Sequence, residues 1–174
     1  MGIVALLLAL LPLRAQEAIF FVEDLMVTAG DDIAVNVRAV NIADIVGLQL
    51  SVNWDESVLE FTGVSNVALN GSLEDNFNQT QLDSGRIGFL LVDASLSGFD
   101  LPDSTILFTL EFTPLTMNPL TTEIEFGDIP LRFSAQNNAN VRLDCEQMPG
   151  VVTCEAPTGI PSVAQDSRMQ VGPS

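Results

Sequence analysis

The sequence predicts an all-β fold, an antiparallel β-sandwich of jelly-roll type with about nine strands. Three observations predict it. Apolar residues recur with period two in many short runs, Gly, Pro, Asn and Asp punctuate those runs, and after residue 16 no ten-residue segment carries a helical period. At 174 residues the chain has room for one domain with a substantial core.

Met1 to Gln16, MGIVALLLALLPLRAQ, places an apolar run before Pro12 and a small residue at Ala15. This is the pattern of a secretory signal peptide spanning residues 1–15. The run is far short of the ~20 residues that cross a bilayer, so no membrane span is expected in the mature chain. The domain is expected over residues 16–155. Ala18 to Val22 reads as a first strand and Met26 to Thr28 as its short continuation, before Gly30-Asp31-Asp32 turns the chain. Ile33, Val35, Val37 and Ala39 then alternate inward, and Asn41 to Asp44 reads as a loop.

In the central strand Leu48, Leu50, Val52 and Trp54 share the inward parity, which leaves Gly47, Gln49, Ser51 and Asn53 facing out. Asp55-Glu56-Ser57 turns the chain, and Val58, Leu59 and Phe61 resume the apolar pattern. From Thr62 to Thr80 periodicity lapses, so a long loop with at most one short strand is expected. Arg86 to Asp93 is almost continuously apolar, as in a strand covered on both sides, and Leu96 to Asp103 reads as a loop. Ile106, Phe108, Leu110 and Phe112 give the strongest alternation in the chain. Ile124 and Phe126 mark a further strand, and Val141 to Cys145 the last one of the core.

Cys145 and Cys154 lie symmetrically about Pro149-Gly150. A hairpin turning there would set them ~4.5–5.5 Å apart, within disulfide reach. Residues 156–174, polar and rich in Pro, Gly and Ser, read as a linker or tail.

Composition excludes several functions. Lys plus Arg number 6 against 23 Asp plus Glu, a formal charge of −17, so nucleic acid and anionic membrane are repelled. With no histidine, the imidazole-dependent nucleophile systems and imidazole zinc sites are ruled out. Acidic pairs draw in cations, and Glu74-Asp75, beside Asn70, Asn76 and Asn78 in the least regular loop, is the best placed of them to take calcium. Asn70-Gly71-Ser72 and Asn78-Gln79-Thr80 match the N-glycosylation acceptor pattern.

Three blocks carry a family resemblance. GLQLSVNWDESVLEFTGV (47–64), SGRIGFLLVDAS (84–95) and STILFTLEFTPL (104–115) resemble strands of the cohesin domain, in the family's order, and the similarity covers about residues 17–145. The resemblance implies a non-catalytic module whose flat sheet face receives a dockerin helix pair. Cellulosomal cohesins carry an Asn and an Asp early in the central strand of that face, where this chain has Gly47 and Gln49. With Ser51, Asn53, Gly88 and Leu90 on neighbouring outward positions, the face is expected to be mildly polar and uncharged. Its partner would be a dockerin-like module or another copy of this chain. The expected role is a secreted recognition module of a bacterial cell-surface scaffold, adhesin or carbohydrate-handling assembly. The alternatives are a structural subunit of a filament or surface layer, and polysaccharide binding through Phe77 and Phe99 in the loops.

Overall fold

The computed structural model describes residues 17–157, so the expected signal peptide and the tail from residue 158 lie outside the described residues. β1 (Ala18–Val22) and β2 (Leu25–Thr28) come first, followed by β3 (Ile33–Val40), β4 (Ile42–Asn53) and β5 (Leu59–Ser65). A short helix, α1 (Leu73–Asn76), precedes β6 (Phe77–Asn78), β7 (Arg86–Val92), β8 (Phe99–Leu101) and β9 (Thr105–Pro114). β10 (Leu120–Gly127), β11 (Ser134–Asn137), β12 (Cys145–Met148) and β13 (Gly150–Glu155) complete the described chain.

The strands form two facing sheets. One runs β12-β1-β3-β9-β5, and the other runs β2-β13-β10-β4-β7-β6, with β8 and β11 also paired to β4. Alternation decides what enters the space between them. Phe20, Val37, Phe108 and Leu110 from the first sheet meet Leu48, Leu50, Ile87 and Phe89 from the second, all fully buried. Each such side chain contributes about 1.5–3 kcal/mol of transfer free energy. Trp54 closes one end of this core, its ring 5.2 Å from Phe112 and stacked at 5.7 Å on Phe61. Phe77, expected in a loop, is also buried, packed at 5.1 Å from both Phe89 and Phe108.

Thirteen strands replace the expected nine, and the pairing is mixed instead of wholly antiparallel. The excess has a mechanical origin, because several long strands are broken by jogs. β1 and β2 are one segment that crosses from the first sheet to the second, and β12 and β13 cross beside it. Ala18 pairs with Cys145 and Leu25 with Val152, so the offset is 127 residues (145 less 18, 152 less 25) on both sides of the crossing. The two segments therefore form one parallel seam. At the jog the Val151 N–H donates to Asp24 Oδ1 at 2.8 Å, and Gly150 packs so tightly that a Cβ there would lie 2.6 Å from the Val22 carbonyl oxygen.

This seam overturns the expected hairpin and its disulfide. Cys145 and Cys154 sit nine residues apart on a strand that keeps going, in different sheets, and both are free thiols. Extended backbone covers ~3.3 Å per residue, so nine residues run to roughly 30 Å before the jog shortens them, against the ~4.4–6.8 Å Cα separation a disulfide needs.

Three expected loops also carry strand, and β5 runs on to Ser65 inside the expected 62–80 loop. β4 begins at Ile42, inside the expected 41–44 loop, because Asn41 and Asp44 adopt φ of 60° and 56° and bulge the strand. Ile42 and Ile45 are both buried, a three-residue spacing that breaks the strand period of two at the bulge. β8 lies inside the expected 96–103 loop. In the expected 141–145 strand, Val141 is exposed and Arg142 makes only an isolated bridge to Gln136, so regular pairing starts at Cys145.

Candidate binding face

The outward side of β4 and its neighbours is laid out in rows by the ladder register. Val92, Gly47 and Gln136 form one row, Leu90, Gln49 and Ser134 the next. Gly88, Ser51 and Gly127 form the third, and Arg86, Asn53 and Glu125 the fourth. The predicted face residues thus do share one surface.

Its middle is covered by the chain itself. Six residues lie between Gly127 and Ser134 where β4 has only Leu50 between Ser51 and Gln49, a surplus of five that loops the segment out. The resulting flap, residues 128–133, folds back over the third row. Ser51 Oγ donates to the Leu131 carbonyl at 2.7 Å and accepts the Leu131 N–H at 2.8 Å. Gln49 Nε2 donates to the Arg132 carbonyl at 2.7 Å. A Cβ on Gly88 would lie 2.8 Å from Leu131 Cγ and 3.0 Å from Pro130 Cγ. Ser51 and Gly88, expected to face a partner, are therefore buried under the flap, because a polar hydroxyl and a missing side chain are what a returning backbone needs. Asn53 is half-buried beyond it, against Gly127.

The first two rows stay open. Val46, Gly47, Leu48, Gln49, Leu90, Val92, Leu96, Ser134 and Gln136 line a depression of about 290 Å³, and no atom lies within 4 Å of where a Gly47 Cβ would be. Leu90, Val92 and Leu96 are 41%, 59% and 67% exposed around it. Leu96 is held there at φ 57°, a left-handed conformation costly for leucine. The Asp93 carboxylate fixes that loop by accepting the Ser95 N–H at 2.9 Å, the Ser95 hydroxyl at 2.7 Å and the Gly98 N–H at 2.8 Å. Hydrogen bonds from Ser95, above all from its side chain, hold the Asp93 carboxyl below its ordinary pKa.

Gly47, Gln49 and Leu90 of the predicted set thus border the opening. Val92 was within reach of the sequence, since it continues the parity of Gly88 and Leu90. Ser134, Gln136 and Leu96 carried no signal, because a four-residue polar strand and a lone loop leucine look like connection.

The acidic pair suggested for calcium lies elsewhere. Glu74 and Asp75 occupy the first turn of α1, where Ser72 Oγ accepts the Asp75 N–H at 3.1 Å and donates to Asp75 Oδ2 at 2.8 Å. This is helix capping. Among the described residues no three acidic or cysteine side chains are grouped to hold a metal ion, and no helix is long and apolar enough to cross a membrane. The second expected sugar platform, Phe99, is half-buried.

The architecture defines a jelly-roll sandwich with one open, partly apolar sheet face. Residues 20–144 match the family model described as Cohesin domain, and the chain belongs to that family. Solved cohesins share the fold at low identity. The Clostridium thermocellum cohesin of the Coh-OlpA-Doc918 cohesin-dockerin complex is 15% identical, with TM-score 0.66 over 80% of this chain and 99% of that one. The seventh ScaB type I cohesin of Pseudobacteroides cellulosolvens is 17% identical, with TM-score 0.67 over 83% and 96%. A non-cellulosomal cohesin from the archaeon Archaeoglobus fulgidus is 15% identical, with TM-score 0.62 over 81% and 93%. No curated protein matches the chain.

Proposed function

We propose that the protein is a secreted, non-catalytic recognition module of a cell-surface assembly, binding a dockerin-like protein element on the open half of the β4 face. The observation that carries this reading is the depression bordered by Gly47, Gln49, Leu90, Val92 and Leu96 in a chain of the cohesin family. Three exposed aliphatic side chains around a hollow are what an apolar anchor from a partner requires. Membership of a family whose solved members include cohesin-dockerin complexes supports the choice of partner. The signal-like segment at residues 1–15 supports export.

The test is calorimetric titration of the purified chain with a panel of dockerin modules, repeated on Leu90→Asp. A carboxylate at this exposed position is tolerated by the fold but spoils an apolar contact, so binding should weaken at least tenfold, about 1.4 kcal/mol. No binding across the panel, or affinity indifferent to the substitution, sinks the reading. Self-assembly through the same face would appear instead as mass growing with concentration in light scattering.

A further inference from the structure

We infer that the element this face takes is acidic and amphipathic, its apolar side chains filling the Leu90–Val92–Leu96 depression and its carboxylates meeting Arg132 and Arg142. This rests on the reading of the face as a recognition surface and names the chemistry of its partner.

The inference comes from where the positive charge lies. Between residues 17 and 157 there are 22 carboxylate side chains and four arginines. Arg38 is tied to Glu23 on the other sheet. The remaining three all stand on the candidate face. Arg86 lies opposite Asn53 and precedes buried Ile87, so it points outward. Arg132 is exposed on the flap beside Gln49, and Arg142 is exposed opposite Gln136, its Nη2 donating to the Phe133 carbonyl at 2.9 Å. Among the described residues none of these three has a carboxylate within ion-pair distance.

Of the carboxylates around this face, Glu123, Glu125 and Asp128 lie along β10 and the start of the flap, Asp44 lies beside Asn138 at the open end and Asp144 two residues beyond Arg142, and none lines the depression. Asp93, at the opposite rim, already accepts hydrogen bonds from Ser95 and Gly98. An approaching chain therefore meets an apolar hollow with two guanidinium groups on its β11 side that have no carboxylate partner among the described residues. Guanidinium forks select carboxylates, and at contact range the nearest charges outweigh the net charge, since screening acts over about 8 Å at physiological salt. A basic partner would have to press cation against cation.

Two synthetic helical peptides with one leucine spine, flanked by Glu in one and by Lys in the other, test this by titration into the isotope-labelled full chain. The Glu-flanked peptide should shift the amide resonances of Gly47, Gln49, Leu90 and Ser134. The double variant Arg132→Glu with Arg142→Glu should weaken it at least tenfold and admit the Lys-flanked peptide. Preference for the Lys-flanked peptide at the same amides in the native chain, or an unchanged affinity in the double variant, overturns the acidic partner while leaving the recognition face standing. Neither peptide moving these amides overturns both.

Discussion

At the scale of single residues, the two cysteines have an unusually clean signature. The chain has no histidine and no tyrosine, and its six basic side chains are all arginine. Between roughly pH 7 and 12 the thiols are therefore its only titrating side chains. Burial pushes the Cys145 thiol up to about 11, helped by the Asp144 and Glu17 carboxylates, and burial alone raises Cys154. A raised thiol means the neutral form is favoured by folding, so that stability is complete below the unfolded value near 9.0 and is lost as pH climbs towards 11. Urea midpoints measured from pH 7 to 11 should hold level and then fall, and the fall should vanish when both cysteines are replaced by alanine. A native profile level to pH 11 would contradict the assignment. The cysteines also mark where residue-level reading stops. Their spacing about Pro149-Gly150 was visible, but whether a chain folds back or jogs onward there depends on Asp24 and Val22, 120 residues and more away. Trp54 was legible because alternation along one strand decides its direction. Ser51 has the opposite, outward parity, and no local pattern could announce that residue 131 returns to cover it.

At the scale of elements, long alternating strands were readable and interruptions were not. β3 and β4 from residue 47 onward follow period two because each has one face in the core, whereas β9, the strongest alternation in the sequence, slips register at Leu107, which is buried in place of the expected Ile106. The flap breaks β10 from β11, and both halves are set by register against β4, which is tertiary information. Ser51 is the peg that holds this flap. Ser51→Ala leaves the Leu131 N–H and carbonyl without their partner, a cost of about 1–3 kcal/mol for a buried group. Amide exchange at Leu131 should accelerate strongly, while Leu48 and Leu50 in the central strand exchange as before. Equal acceleration across β4 would mean that the serine supports the sheet and not the flap. A second device of this scale crosses the outer side of the first sheet. Asn66 Nδ2 donates to Thr109 Oγ1 at 3.1 Å, Thr109 Oγ1 to Asn36 Oδ1 at 2.7 Å, and Asn36 Nδ2 to Glu23 Oε2 at 2.7 Å. Arg38 closes the chain by bonding Glu23 and the Ser104 carbonyl, so four strands or strand ends are tied by one polar line.

At the scale of the whole molecule, the formal charge of −17 works against compactness. Screening falls from ~30 Å at 0.01 M salt to ~8 Å at 0.15 M, so added sodium chloride should stabilise the fold by on the order of 1 kcal/mol, roughly 2–4 °C in Tm for a chain of this length. A midpoint that is flat or falls between 0.01 M and 0.5 M would show that local ion pairs, and not the net charge, dominate. The same scale gives the parallel seam a further meaning. Because the β1–β2 and β12–β13 segments run side by side in one direction, residue 17 and residue 157 leave the domain at opposite ends of the seam. Tension between them pulls the two strands past each other along their length. Every hydrogen bond of the ladder is then loaded together, where a hairpin of terminal strands would unzip one bond at a time. Single-molecule extension from these two points should meet one high rupture force, and Gly150→Ala, which forces the jog apart, should lower it. Such a module would hold its shape while bearing a load in series with whatever its ends are joined to.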